Sequence, residues 1–250
     1  MLLKASDFTP IQHRYENDGF CLLENIYSSE QLSRLSERMT WMTGQETTSI
    51  RQRDGDVYAA RNVLDLCPEI AELWKTPAMT SIVLKLLGPA ACLVRGLFFD
   101  KPPTSSWGLP WHKDLLIAIQ PPTVLSSSYS PPRDRLGVLH TEPPLEVLER
   151  MLTLRIHLDE VTHENGPLEV AVGSHCSGKL LQLDGRPSEF ITTPQGGVLV
   201  MHRLLAHASG RSEPGTTRHR RILHLEFANS AVLPDNYHWY QSFPVNSEKT

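Results

Sequence analysis

The sequence predicts a mainly β domain with flanking helices, its strands layered as a sandwich or jelly roll. Three observations carry this expectation. Apolar residues recur at helical spacing before Pro89 and at a period of two after it. The second part breaks into about seven short apolar runs punctuated by Gly, Pro and Asn-Gly. There is no G-x-G-x-x-G, no P-loop and no internal repeat. Helices followed by a run of strands favour packed antiparallel sheets over alternating βαβ units.

In chain order, "GFCLLENI" (Gly19 to Ile26) is a short apolar run introduced by glycine, hence a strand. "SSEQLSRLSERMTWM" begins with Ser28 and Gln31 at capping-box spacing, and Leu32, Leu35 and Met39 follow on one helical face. A further helix, "TPAMTSIVLKLLG", stops at Gly88-Pro89. From Ala90 the strands are "ACLVRGLFFD", "LLIAIQ", "MLTLRIHLDEV", "GPLEVAVGSH", "GGVLVMH", "LLAHASG" and "RRILHLEFA". "ENGPL" (Glu164 to Leu168) resembles a hairpin turn. Residues 120–144 are rich in Pro and Ser without periodicity, which suggests a lid loop, with plain disorder as the competing reading. The expected organisation is one domain over 1–250, with a mostly helical support over 1–89 and a jelly-roll core over 90–228.

With 250 residues, 40% of them hydrophobic and 21% charged, the chain can bury a core and stay soluble. A net charge of −4 gives no reason to expect nucleic acid or an anionic membrane as partner. Arg218-His219-Arg220-Arg221 is the one basic cluster. No apolar run approaches the ~18 residues that span a bilayer. "MLLKASDFTP" reaches Asp7 too early for a secretory signal, so the expected address is the cytoplasm. Cys21, Cys67, Cys92 and Cys176 are scattered without a C-x-x-C pair and read as buried or incidental thiols.

The chemistry sits in "LPWHKD". Two residues apart on an extended strand means the same face, so His112 and Asp114 aim at one point. An isolated H-x-D is weak evidence, but the apolar run that follows puts this one at the start of a strand. A third ligand has to come from elsewhere in the chain, and His207 in "RLLAHASG" is the candidate. His140, His157, His175, His202 and His224 compete, each of them more commonly a satisfied structural histidine. Two histidines and a carboxylate form the facial triad that holds Fe(II) and leaves positions open for a chelating cosubstrate and O2. In "RHRRILHLEFA" one face carries Arg220, Ile222, His224 and Glu226, and the other Arg221, Leu223, Leu225 and Phe227. An inward arginine is costly unless an anion meets it. A dicarboxylate cosubstrate would supply that anion, and Ser209, two beyond His207, shares the face. A structural salt bridge from Arg220 to Glu226 or Asp159 is the alternative.

Taken together, His112-x-Asp114, "IHLDEVTHENGPLEVAVGSHCSGKL", "HRLLAHASG" and "RRILHLEFA" resemble the phytanoyl-CoA dioxygenase family, over about Phe20 to Phe227. The resemblance implies a double-stranded β-helix (jelly roll, cupin-like) and an Fe(II)- and 2-oxoglutarate-dependent dioxygenase that consumes O2 and hydroxylates a C–H bond of a small molecule. It implies that His112, Asp114 and His207 bind the metal, that Arg220 and Ser209 hold the C5 carboxylate of 2-oxoglutarate, and that Arg155 lines the cosubstrate pocket. Where the family often has G-S-G-x-N after the distal histidine, this chain has Ala208-Ser209-Gly210-Arg211-Ser212, and the following loop leaves Arg218 as a rival to Arg220. A carboxylate at 114 argues against the halogenase variant, which leaves that position vacant. Two other functions stand beside this one: a cupin-like metalloenzyme that does not use 2-oxoglutarate, and a non-catalytic binding member of the fold. Trp107, Trp111 and His140 are candidates to line the entrance. Substrate identity and oligomeric state are not legible.

Overall fold

The computed structural model describes Lys4 and residues 7–246. The chain opens with α1 (Phe8–Asp18), β1 (Phe20–Leu23) and α2 (Ser29–Thr43), followed by β2 (Ile50–Arg53) and β3 (Asp56–Ala60). Three helices complete this part: α3 (Val63–Leu66), α4 (Ile70–Leu73) and α5 (Pro77–Leu87). Then come β4 (Cys92–Phe99), β5 (Leu109–His112), β6 (Ile117–Ile119), β7 (Arg133–Arg135) and β8 (Val138–Thr141). After α6 (Leu145–Leu148) follow β9 (Met151–His157), β10 (Leu168–Ala171), β11 (Ser188–Ile191), β12 (Val198–His202), β13 (His207–Ser209), β14 (Ile222–Ala228) and β15 (Phe243–Pro244).

The helix signals work as the side chains require. Ser28 Oγ accepts the Gln31 N–H at 3.2 Å and Gln31 Oε1 accepts the Ser28 N–H at 2.9 Å, the reciprocal box that satisfies two donors at the start of α2. Thr76 caps α5 with Pro77 at its first position, and Gly88 ends it with φ 92°.

The strands form a jelly roll. An eight-stranded antiparallel sheet has the order β1-β12-β9-β14-β4-β3-β2, with β15 also on β4. A four-stranded sheet, β11-β10-β13-β5, packs across it: Leu168, Val170 and Ile191 share a core with Phe20, Leu199 and Met201. On the outer face of the large sheet, Leu154, Ile156, Val200, Leu223, Leu225 and Phe227 pack against α2, α5 and Trp74. The Trp74 and Phe227 rings meet edge to face at 4.8 Å.

Several local expectations need correction. The first part holds a β2–β3 hairpin as well as helices and β1; its Asp54-Gly55 loop has positive φ at both residues, the geometry of a type I′ turn. The segment 120–144 is not structureless: β7 and β8 pair there around Leu136-Gly137, again both at positive φ, and β8 continues onto β6. Proline spacing hid strands that are only 3 and 4 residues long. "ENGPL" does turn, with Gly166 at φ 68°, but it passes the chain from β9 to β10 in a different sheet and closes no hairpin. A Cβ on Gly166 would lie 2.7 Å from the Gly210 carbonyl, so this turn packs directly on the backbone just past β13.

Candidate functional site

The small sheet supplies one wall of the site. β13 and β5 run antiparallel with His207 directly opposite His112, and their rings lie 4.3 Å apart. Cross-strand pairing is therefore what unites two histidines far apart in sequence. Asp114 is not on a strand but in the link from β5 to β6, so the alternation argument applies to His112 alone and the link's path delivers the carboxylate. One ligand atom from each of His112, Asp114 and His207 lies within 4.8 Å of the others, the one group of three or more such donors among the described residues.

The backbone sets the histidine tautomers. His112 Nδ1 lies 2.8 Å from the Pro110 carbonyl and His207 Nδ1 lies 2.9 Å from the Leu205 carbonyl. A carbonyl only accepts, so both Nδ1 atoms carry the proton and both Nε2 lone pairs stay free. Those Nε2 atoms face the Asp114 carboxylate at 4.0 Å and 3.7 Å. Burial pulls the His207 pKa down to about 4, which keeps the imidazole neutral, as a metal ligand requires. Burial opposes charge on Asp114, but the facing imidazoles, His207 foremost, and the Arg203 guanidinium hold its carboxyl below the usual carboxylate range. Neutral imidazoles and an ionised carboxylate at one point suit a divalent first-row metal.

The turn at "GSHCSG" braces both ligand segments. Lys113, between His112 and Asp114, donates to the Ser174 carbonyl (2.7 Å), the Gly178 carbonyl (2.7 Å) and Ser177 Oγ (3.0 Å). Ser174 Oγ accepts the Ala206 N–H at 2.8 Å, immediately before His207. The signal was present as "GSH", but its use as a brace depends on contacts remote in sequence.

The large sheet supplies the opposite wall. Its inward face carries Arg155 and His157 on β9, His224 and Glu226 on β14, Arg95 on β4, and Arg220 just before β14, all buried. With the small sheet these enclose a cavity of about 460 Å³, lined among others by His112, Asp114, His207, Ser209, Arg155 and Arg220. Trp107 and His140 also line it, whereas Trp111 does not. The other competing histidines are engaged elsewhere. His157 Nδ1 donates to the Gly197 carbonyl, His175 Nε2 lies against the Glu16 carbonyl, and His202 Nδ1 accepts the Leu204 N–H.

The arginines differ in what they meet. Glu226 is shared by Arg203 (2.8 Å) and Arg95 (3.4 Å), and Asp159 takes Arg221 through two contacts of 2.9 and 2.6 Å. Neither acid reaches Arg220, whose side chain is 2% exposed and makes no hydrogen bond or ion pair among the described residues. Burial, then the nearby charge of Arg155, lowers its pKa to about 9. Arg218 lies at the surface between Glu160 and Glu164, outside the cavity. The Arg155 guanidinium lies 3.1 Å from His224 Nδ1 and 6.0 Å from the centre of the Phe99 ring. Ser209 Oγ accepts from Lys101 Nζ at 2.8 Å and keeps its own proton for another acceptor. Lys101 itself is fully buried, and burial together with Arg220 and Arg155 lowers its pKa to about 6. Lying just past an apolar strand in "FFDKPP", it carried no sequence signal.

With this geometry established, comparison with known proteins places the chain. L-proline trans-4-hydroxylase of Streptomyces griseoviridis is 25% identical over 66% of this chain, which spans 54% of that relative's length. A protein described as a probable alpha-ketoglutarate-dependent hypophosphite dioxygenase of Stutzerimonas stutzeri is 23% identical over 97% of this chain and 87% of its own. The crystal structure of EctD from S. alaskensis with 2-oxoglutarate and 5-hydroxyectoine superposes with a TM-score of 0.67 at 18% identity, covering 88% of this chain and 74% of EctD. No helix among the described residues is long and apolar enough to cross a membrane. The family model for phytanoyl-CoA dioxygenase matches residues 15–220, and the chain therefore belongs to the phytanoyl-CoA dioxygenase family.

Proposed function

We propose that this chain is an Fe(II)- and 2-oxoglutarate-dependent oxygenase that hydroxylates a C–H bond of a small molecule. One juxtaposition supports the reading above all others: a His-Asp-His group and an unpaired, buried arginine share one cavity. In this reading His112, Asp114 and His207 hold the iron, Arg220 and Ser209 hold the C5 carboxylate of 2-oxoglutarate, and Arg155 lines the same subsite. When bound, the iron supplies the oxidising chemistry that converts 2-oxoglutarate, O2 and R–H into succinate, CO2 and R–OH.

The protein's own share is placement and charge. The two Nδ1–H bonds to carbonyls lock the imidazole planes, so the ligand lone pairs do not have to be oriented when metal arrives. Arg220 is buried and its Nε has no partner, so a carboxylate entering beside it forms a bidentate pair with part of the arginine's desolvation already met by the fold. Such an anion also favours the charged form of Lys101, whose ammonium already touches Ser209 Oγ. Arg220 is what separates this function from that of a cupin-like metalloenzyme without 2-oxoglutarate, which has no use for a dry cation beyond its metal.

The test is Fe(II)-dependent formation of succinate from 2-oxoglutarate. His112→Ala is expected to abolish it. Arg220→Ala is expected to raise the 2-oxoglutarate requirement about a hundredfold, in line with loss of a buried charged pair, and Arg218→Ala to leave it alone. Turnover unaffected by His112→Ala removes the iron assignment, and a reversal between the two arginines removes the assignment of Arg220.

A further inference from the structure

The cavity has a second cationic end that the metal and 2-oxoglutarate do not use. Along β14 the inward residues run from Arg220 past His224 to Glu226, about 20 Å of extended chain. Glu226 lies opposite Arg95 on β4. Farther across the sheet, beyond β4, stand Arg51 on β2 and Arg61 just after β3, with Arg135 on β7, all lining the same cavity, and the charges of Arg95, Arg135 and Arg51 are all felt at Arg61. None of these three side chains makes a hydrogen bond or ion pair among the described residues. Acids close by in sequence are turned elsewhere: Asp56 accepts from Thr104 Oγ1, and Asp134 accepts the Gly137 N–H at 3.3 Å. The buried Arg95 has only a 3.4 Å contact to Glu226, which also serves Arg203, and its Nε has no partner.

The charge balance is one-sided. Among the described residues, Glu226 and Asp114 are the only acids lining the cavity, and Asp114 belongs to the His-Asp-His group. Burial, then the charges of Arg95, Arg135 and Arg51, depresses the Arg61 pKa, so the cluster repels itself as it stands. On a chain of net charge −4, such crowding of unpaired guanidinium groups around one opening is not general surface character. A lone carboxylate satisfies one bidentate arginine, whereas several guanidinium groups gathered on one side of a cavity match a tetrahedral, multiply charged oxyanion.

We infer that Arg51, Arg61, Arg95 and Arg135 form an oxyanion subsite on the β2–β4 side of the cavity, away from Arg220, and that the substrate is a small molecule bearing a phosphate or an equally charged tetrahedral group. This rests on the oxygenase reading for the word substrate, while the anion subsite is testable without it. Held there, the charged group leaves the rest of the molecule lying along the cavity toward His112, Asp114 and His207. Arg51 and Arg135 stand exposed at the rim, so the group enters from solvent and is gripped deeper by Arg61 and Arg95.

The experiment is calorimetric titration of the full chain, saturated with 2-oxoglutarate under anaerobic conditions, with inorganic phosphate and separately with acetate at constant ionic strength. Phosphate is expected to bind with 2-oxoglutarate still in place, and more tightly than acetate. The double variant Arg61→Gln/Arg135→Gln is expected to weaken phosphate about tenfold or more, as loss of charge-assisted hydrogen bonds requires, while Arg218→Gln does not. Arg220→Gln is expected to weaken 2-oxoglutarate instead. Phosphate that merely displaces 2-oxoglutarate, that ignores the double variant, that is matched by acetate or that fails to bind overturns the subsite. If phosphate follows the double variant but no succinate is formed in the separate turnover assay, the anion subsite stands and the oxygenase reading fails.

Discussion

The two faces of β14 use the same strand for opposite purposes. Leu223, Leu225 and Phe227 point outward into a dry layer shared with α2, α5 and Trp74. Arg220, His224 and Glu226 point inward to a cavity where buried nitrogens and oxygens lack hydrogen-bond partners, among them Arg220 Nε and Glu226 Oε2. β9 repeats the pattern, with Leu154 and Ile156 outward and Arg155 and His157 inward. Burial stabilises the fold on the outer face. On the inner face it costs stability and is offset only when ligands arrive. Strand alternation lets one sheet combine both, because neighbouring residues never share a surroundings.

That contrast is open to attack from either side, and the largest effect belongs to the apolar face. Phe227→Ala removes a fully buried ring packed on Trp74 and is expected to cost about 3–5 kcal/mol in denaturant unfolding. The fraction that stays folded is expected to keep its 2-oxoglutarate affinity; a loss there means the faces are coupled. On the inner face the sign reverses. Arg220→Met is expected to stabilise the ligand-free protein by about 1–3 kcal/mol, since it deletes an unpaired buried charge, even as it weakens 2-oxoglutarate binding. A destabilised Arg220→Met protein means that the arginine has a structural partner.

A further effect separates the faces by pH. Burial, reinforced by Arg155, lowers the His157 pKa from 6.5 to about 3. The unfolded chain therefore binds a proton near pH 6.5 that the folded chain refuses until about pH 3, so this contribution is intact above pH 6.5 and is lost as pH falls through that window. His157→Gln is expected to reduce the slope of stability against pH by about 1.4 kcal/mol per unit there. Equal slopes for the two proteins show that His157 is charged when buried. Smallest is Ser28→Ala, expected to cost about 1 kcal/mol by removing the α2 cap without touching either face.

The patterns that were legible in the sequence are those in which neighbouring residues carry the information. The period of two in "RRILHLEFA", the box at Ser28 and Gln31, and the Gly88-Pro89 stop are local, and each appears in the structure where its physics puts it. Asp54-Gly55 was an equally local hairpin signal that went unread amid helical neighbours. By contrast, the pairing of His207 with His112, the Lys113 brace on Ser174, the isolation of Arg220 from Glu226 and Asp159, and the gathering of Arg51, Arg61, Arg95 and Arg135 are all contacts between distant segments. Side-chain alternation tells which way a residue faces along its own strand, and it carries nothing about which strand lies opposite. By itself, then, the sequence determined the long core strands, their buried faces and the residue types able to bind metal and anion. Only sheet pairing and loop path, set by packing across the whole chain, decided which of those residues share a cavity and which arginine is left without a partner.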